Sequence, residues 1–181
     1  MLDLAGKGTL NPVNFFSYFT IESNLIAVAA LLLAAATWRG PRSANIDFFR
    51  GAATTYMTVT FVVFALLLAD TDVDTAIVWV DRVLHRVIPI VMMADWLLDP
   101  PSARIDLRRA WWWVAYPMAW VVYTMIRGAI VGTYPYPFLD PANGGYGVVL
   151  AYSVAILVGM LAFIWGIVSI GNAMRERRAP A

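Results

Sequence analysis

Long apolar runs separated by short polar connections dominate this chain. A hydrocarbon core of about 30 Å needs about 20 apolar residues per crossing helix. Five stretches meet that need: 15–38, 49–69, 76–98, 110–132 and 148–171. They predict an all-α integral membrane protein, a bundle of five transmembrane helices in one polytopic domain over residues 1–181, without linker, low-complexity segment or internal repeat. Arg39-Gly40-Pro41 closes the first stretch and Asp99-Pro100-Pro101 the third, because proline cannot continue a helix and restrains the residue before it. The third stretch opens on polar residues. Asn143-Gly144-Gly145-Tyr146-Gly147 reads as a flexible loop ahead of the fifth.

Composition agrees with the pattern. The chain is 61% hydrophobic and only 14% charged, with a mean hydropathy of +0.68, whereas a soluble domain is about a quarter charged. Eight tryptophans and eight tyrosines suit an aromatic belt at the lipid–water boundaries. A net charge of +1 gives no reason to invoke nucleic acid. The first fourteen residues lack the charged-then-apolar pattern of a signal peptide. Positive charge alternates between connections. Arg39, Arg42 and Arg50 lie in the first, Arg104, Arg108 and Arg109 in the third, and Arg175, Arg177 and Arg178 in the tail. The second carries Asp70, Asp72 and Asp74, and the fourth, 133–147, has no lysine or arginine. The positive-inside rule then puts the first and third connections and the C-terminus in the cytoplasm, and the N-terminus outside.

That orientation sorts polar residues by depth. Ser17, Thr20, Ser23 and Asn24 fall in the outer half of the first span, His85 in the outer part of the third, Tyr123 and Arg127 near the outer end of the fourth, and Tyr152 and Ser153 in the same layer of the fifth. Asp95 lies close to the cytoplasmic boundary. Polar groups at membrane depth are costly and face the bundle interior or a wet cavity. Arg127 either snorkels to the outer headgroups or pairs with Glu22 or another internal acid. At about 100° per residue, Ser17, Thr20, Ser23 and Asn24 share an arc of about 120°, with Glu22 nearly opposite Thr20. Asp81, His85, Pro89, Met92 and Trp96 share a face of the third span.

His85 is the only histidine, and cysteine is absent. Cysteine nucleophiles, Cys-rich zinc sites and multi-histidine metal sites are therefore excluded, and no metal site or cofactor is expected. No Walker or GxGxxG loop is present. The run Asp70, Asp72, Asp74 lacks the glycine turn and terminal glutamate of an EF-hand, so it reads as solvated loop. A lone histidine packed between helices is the plain structural reading of His85. The alternative is chemistry: His85 is the one side chain whose unperturbed pKa suits acid–base work near neutrality. Thr20, Ser17 or Ser23 would be the nucleophile and His85 the base, with Asp81, four residues away, fixing the imidazole tautomer. Asn24 or backbone amides would hold the oxyanion.

The local words narrow the choice. Asn14-Phe15-Phe16-Ser17-Tyr18-Phe19-Thr20-Ile21-Glu22-Ser23-Asn24-Leu25 resembles the "FFSYFTxxSN" signature of a bacterial integral-membrane family, the "Pr-six-Pr" proteins. His85, Pro89 and Asp95-Trp96-Leu97-Leu98 resemble its "H…P…DWLL" segment. Arg127-Gly128, then Tyr134-Pro135-Tyr136-Pro137-Phe138-Leu139-Asp140 and Gly145-Tyr146-Gly147, resemble a third signature. That family is similar to the eukaryotic androgen-induced-gene membrane proteins, threonine hydrolases that cleave fatty acid esters of hydroxy fatty acids. The resemblance implies a lipid-ester hydrolase of the bacterial inner membrane with Thr20 as nucleophile and His85 as base. Ser17, Asn24, Tyr123, Arg127 and Tyr152 would line the site for a fatty acyl ester entering from the outer leaflet. It also implies six spans. Only Met1 to Asn14 precede the first span here, so a truncated start or a genuinely shortened version is expected; a missing helix would leave a groove for lipid, detergent or a second subunit of a homo-oligomer. Two other functions stand beside hydrolysis. One is a non-catalytic protein that binds a lipid or partner in the same polar pocket. The other, transport, needs a polar path to the cytoplasmic side, which the apolar residues 27–36 oppose.

Overall fold

The structure is a computed structural model that describes residues 12–37, 39–40, 42–69 and 78–178. Among these residues the chain is helical without strands. A short helix α1, Pro12–Phe16, precedes α2, Phe19–Ala36. Then come α3, Ala44–Leu68, α4 over 78–98, α5, Leu107–Val131, and α6, Gly145–Arg178. Four of them, α2, α3, α5 and α6, are long and apolar enough to cross a membrane. The fifth expected span corresponds to α4. It is unbroken over 78–98 but carries Asp81, Arg82, Arg86 and Asp95, so its composition does not match the other four. Residues 76 and 77, and the acidic run Asp70, Asp72 and Asp74, lie outside the described residues.

Two boundaries differ from the expected ones. The first span does not begin as one helix at Phe15: the chain breaks at Ser17 and Tyr18. Ser17 Oγ donates to the Val13 carbonyl at 2.7 Å, and its amide closes a tight turn on Asn14. Tyr18 is then extended, with φ −79° and ψ 125°, and α2 restarts at Phe19. The glycine-rich segment is not a loop either. Gly144 and Gly145 take φ of +137° and +80°, reversing the chain so that α6 starts at Gly145. Asp99 leaves helical geometry and ends α4 as expected before Pro100.

α3 is the central helix, with 67% of its apolar window buried against 17–28% for the other three long helices. Ala27 and Ala30 of α2 meet Ala53 and Met57 of α3 and Met92 of α4, and such small side chains let membrane helices approach closely. Thr54, Thr55, Thr58 and Thr60 satisfy their hydroxyls on carbonyls four residues back. Gly51 and Gly171 admit indole rings: a Cβ on Gly51 would sit 2.5 Å from Trp113, and one on Gly171 2.7 Å from Trp96.

Prolines shape the backbone where the helices meet. Pro89 has no N–H to give the His85 carbonyl and would crowd it, and residues Val83–Val87 widen into a π turn in which the Ile88 amide bonds Val83. Pro117 likewise leaves the Trp113 carbonyl without its helical donor. The Tyr56 hydroxyl supplies one at 2.9 Å.

The first and third connections and the end of α6 meet at one end of the bundle. Ser102 donates to Asp47 through both backbone N and Oγ, at 2.7 and 2.6 Å, Asn172 brackets Ile105, and Arg178 reaches the Leu98 carbonyl. Arg50, expected in the first connection, is instead an interior residue of α3, fully buried and bonded to Asp47 at 3.0 Å and Asp95 at 2.6 Å. Arg42 pairs with Asp47 and Asp99 beside them. Burial pushes the Asp99 carboxyl up, but the Arg42 hydrogen bond and charge outweigh it, and the group is held below its ordinary value.

Candidate active site

Thr20 lies in the first turn of α2, just after the break at Ser17 and Tyr18. His85 sits inside the π turn of α4. Both are buried, and Thr20 Oγ1 is 3.1 Å from His85 Nε2. The other ring nitrogen, Nδ1, is 2.9 Å from the Asp81 carboxylate and 3.1 Å from the Asp81 carbonyl. Both of those are acceptors, so Nδ1 carries the proton. Nε2 is then a bare lone pair, and Thr20 donates its O–H to it. Hydroxyl, imidazole and carboxylate stand in the same order as the groups of a hydrolytic triad.

The imidazole is clamped by a second π turn. Residues Phe64–Leu68 at the end of α3 bring the Phe64 ring flat onto His85, with centroids 4.2 Å apart and planes 17° apart. Arg86 covers Phe64 in turn. π turns inside α-helices recur at functional sites, and here two of them deliver the two stacked rings.

A residue that was not anticipated completes the cluster. The fourth connection folds back into the bundle, burying Pro135, Tyr136 and Leu139. Tyr136 Oη lies 3.1 Å from Thr20 Oγ1 and 3.1 Å from the Thr20 amide nitrogen. Burial pushes this phenol up to about 12, so it stays protonated at neutral pH. Tyr136 has no place in a helical periodicity, because it comes from a loop. Its one signal is the Tyr-Pro-Tyr-Pro run, in which proline fixes the backbone.

The other anticipated residues divide by position. Asn24 is buried one turn below Thr20, but Nδ2 is committed to the Thr20 carbonyl at 2.7 Å and the Leu84 carbonyl at 3.2 Å. It ties α2 to α4 and has no N–H left for an oxyanion. Ser23 spans to Thr60 at 3.1 Å. Ser17 is buried and shares a hydrogen bond with the exposed Tyr123. Arg127 does not pair with Glu22. It reaches Asn14 at 3.3 Å, and Glu22 accepts from Tyr116. Tyr152 stands away from Thr20, its ring 6.0 Å from Phe138.

An apolar cavity of about 90 Å³ runs beside this cluster between α3, α5, α6 and the fourth connection. Phe64 and Tyr136, which touch His85 and Thr20, form part of its wall, while Thr20 and His85 themselves lie behind that wall. Among the described residues no three acidic or histidine side chains converge as metal ligands. No protein-family model matches the chain, and no curated protein or solved structure is significantly similar to it.

Proposed function

We propose that this chain is an integral membrane ester hydrolase with Thr20 as nucleophile, His85 as general base and Asp81 as the group that orients the imidazole. The observation that carries the reading is the 3.1 Å contact from Thr20 Oγ1 to His85 Nε2, with Asp81 on the opposite ring nitrogen. Thr20 Oγ1 attacks the ester carbonyl carbon as its proton passes to Nε2. The tetrahedral adduct collapses, the carbon–alkoxy bond breaks, and Nε2 returns the proton to the departing alcohol. Water then attacks the acyl-threonine, gives a proton to Nε2, and releases a carboxylic acid as Oγ1 regains its hydrogen. Only the ester and water are consumed.

The substrate class follows from the surroundings and from the resemblance to the "Pr-six-Pr" and androgen-induced-gene proteins. The neighbouring cavity, about 90 Å³, is walled by Val59, Val63, Leu68, Ile156 and Met160, an apolar lining that suits a few methylenes of an acyl chain next to the ester. In this reading α2 to α6 all cross the bilayer, with the charges of α4 tolerated because Asp81 is bonded to His85 and Asp95 to Arg50. The arginine-bearing end faces the cytoplasm of a bacterial inner membrane. The site then lies at outer-leaflet depth, with the Phe64 and Tyr136 rings between it and the cavity.

The test is labelling of the detergent-solubilised protein with a fluorescent fluorophosphonate. Wild type becomes labelled. Thr20→Ala and His85→Ala lose the label while remaining monodisperse with unchanged melting. Labelling that survives both substitutions overturns the assignment. A second reading, a non-catalytic lipid-binding protein, is favoured by the wall that separates Thr20 and His85 from the cavity. Its marks are a co-purified lipid and full tolerance of Thr20→Ser and His85→Gln.

A further inference from the structure

We propose that Tyr136 is a further catalytic residue, its O–H forming an oxyanion hole together with the backbone N–H of Thr20. This rests on the ester-hydrolase reading above and assigns the one role that reading leaves empty. The argument begins with hydrogen-bond directions. Asp81 makes Nε2 of His85 an acceptor, so the Thr20 hydroxyl donates there. Thr20 Oγ1 must then accept from Tyr136. The Thr20 amide can only donate, so the Tyr136 oxygen accepts from it. In the resting site the tyrosine hydroxyl therefore bridges two atoms of the nucleophile residue, giving a proton to one and receiving one from the other.

A carbonyl attacked by Thr20 places its oxygen two bonds from Oγ1, beside the amide of the same residue. A ligand oxygen arriving there displaces the resting contact between the amide and Tyr136. That frees the amide N–H, and as Oγ1 spends its lone pair on the carbonyl carbon the Tyr136 O–H turns from Oγ1 to the same oxygen, so both donors meet the charge that develops during attack. The amide has no carbonyl of its own helix to return to, because it lies in the first turn of α2. The other polar groups around Thr20 are committed elsewhere: Asn24 Nδ2 bonds two carbonyls, and Ser23 bonds the Thr20 carbonyl and Thr60.

The donor is also preorganised. Tyr136 is 6% exposed, its ring wedged at 89° to Tyr18 and stacked on Phe138 with planes 3° apart. Its high pKa keeps the proton in place, so the phenol stabilises the oxyanion without being consumed. As the Oγ1–carbon bond forms, the carbonyl π pair moves onto oxygen and Tyr136 O–H bonds to it. The threonine proton travels only to His85.

The test uses p-nitrophenyl octanoate in detergent micelles and the fluorophosphonate. Tyr136→Phe keeps the ring and removes the hydroxyl. The expected result is a fall in kcat of about 10²–10³, the usual effect of losing one oxyanion donor, with KM within a few-fold of wild type and slowed phosphonylation. A Tyr136→Phe enzyme within threefold of wild type, where Thr20→Ala is inactive, overturns this inference and leaves the Thr20–His85 reading intact. Wild type that neither hydrolyses nor labels overturns both. If Tyr136→Phe does not fold, the structure of the phosphonylated wild type decides. Tyr136 Oη within about 3 Å of the phosphonyl oxygen is the expected outcome, and a hydroxyl turned away refutes it.

Discussion

The two ends of this bundle bury polar groups in opposite ways. At the arginine-bearing end, Arg50 and Asp47 are wholly buried, and each charge meets an opposite one: Arg50 with Asp47 and Asp95, Arg42 with Asp47 and Asp99. At the other end the buried groups are hydroxyls, an imidazole and a phenol in a directional chain running Asp81, His85, Thr20, Tyr136. The ionic cluster fastens the first and third connections to α3 and α4, and every strong bond in it is already made. The hydrogen-bonded chain holds in its middle the Thr20 hydroxyl, whose oxygen has a second lone pair to give, near an apolar cavity. Under the proposed function, the contrast separates a clamp from a candidate reactive site by how completely each group is satisfied. Buried polar residues alone do not make that distinction, since both ends have them.

The sharpest way to break the comparison is Asp81→Asn. The fold should hold, because the His85 Nδ1–H keeps the Asp81 backbone carbonyl as acceptor. The carboxylate that stabilises an imidazolium is gone, and turnover of p-nitrophenyl octanoate should fall by about 10²–10³-fold, less than the roughly 10⁴ seen when the aspartate of a serine triad is amidated, because the carbonyl still holds the tautomer. A loss of melting temperature in place of turnover would move Asp81 into the clamp's category.

The converse change is Arg50→Met at the ionic end. It fills the volume but leaves Asp95 without its cation and Asp47 with Arg42 alone. Removing one partner of a buried ion pair costs about 3–5 kcal/mol, so thermal unfolding in detergent should come on the order of 10 °C lower. Phosphonylation of the protein that remains folded should proceed at the wild-type rate. A variant as heat-stable as wild type would show that the cluster is incidental.

The two ends were also unequally legible. The pairing of Asp81 with His85 follows from a four-residue spacing on one helix, and Ser17, Thr20, Ser23 and Asn24 were placed together by helical arc. That arc held for Thr20, Ser23 and Asn24 as buried residues of α2, but Ser17 belongs to the break before it, where its own side chain ends α1. The link from Thr20 to His85 came from a family resemblance, since spacing could not choose among three hydroxyls. Tyr136 was out of reach because a loop that folds back into a bundle leaves no periodic trace. The π turns were hidden too. Pro89 is visible, but its effect falls on the carbonyl four residues earlier, at the histidine itself. At the ionic end, Arg50 was counted with the first connection because charge usually marks one, and Asp47 falls ahead of the second stretch, expected to begin at 49. Their mutual neutralisation lets α3 begin earlier, at Ala44, and carry them inside. Cancelled charges look like surface until their partners, fifty residues away in Asp95 and Asp99, are known.

The smallest expected effect lies on the rim of the clamp and concerns pH. Asp99 is 51% exposed, and Arg42 holds its carboxyl below the ordinary value. A depressed carboxylate pKa contributes stability that is fully present above the unfolded value of about 3.9 and is lost as the pH falls through the lower folded value. Asp99→Asn removes that contribution. At neutral pH the variant should melt only about 1–3 °C below wild type, because a half-exposed pair is screened by solvent. Below about pH 4 the two melting curves should converge, as wild type loses the same charge by protonation. The buried pairing of Arg50 with Asp47 offers no such exposed group, so the convergence should come from Asp99 alone. A gap that stays constant down to the acid limit of folding would show that the Asp99 side chain acts there through shape, not through charge.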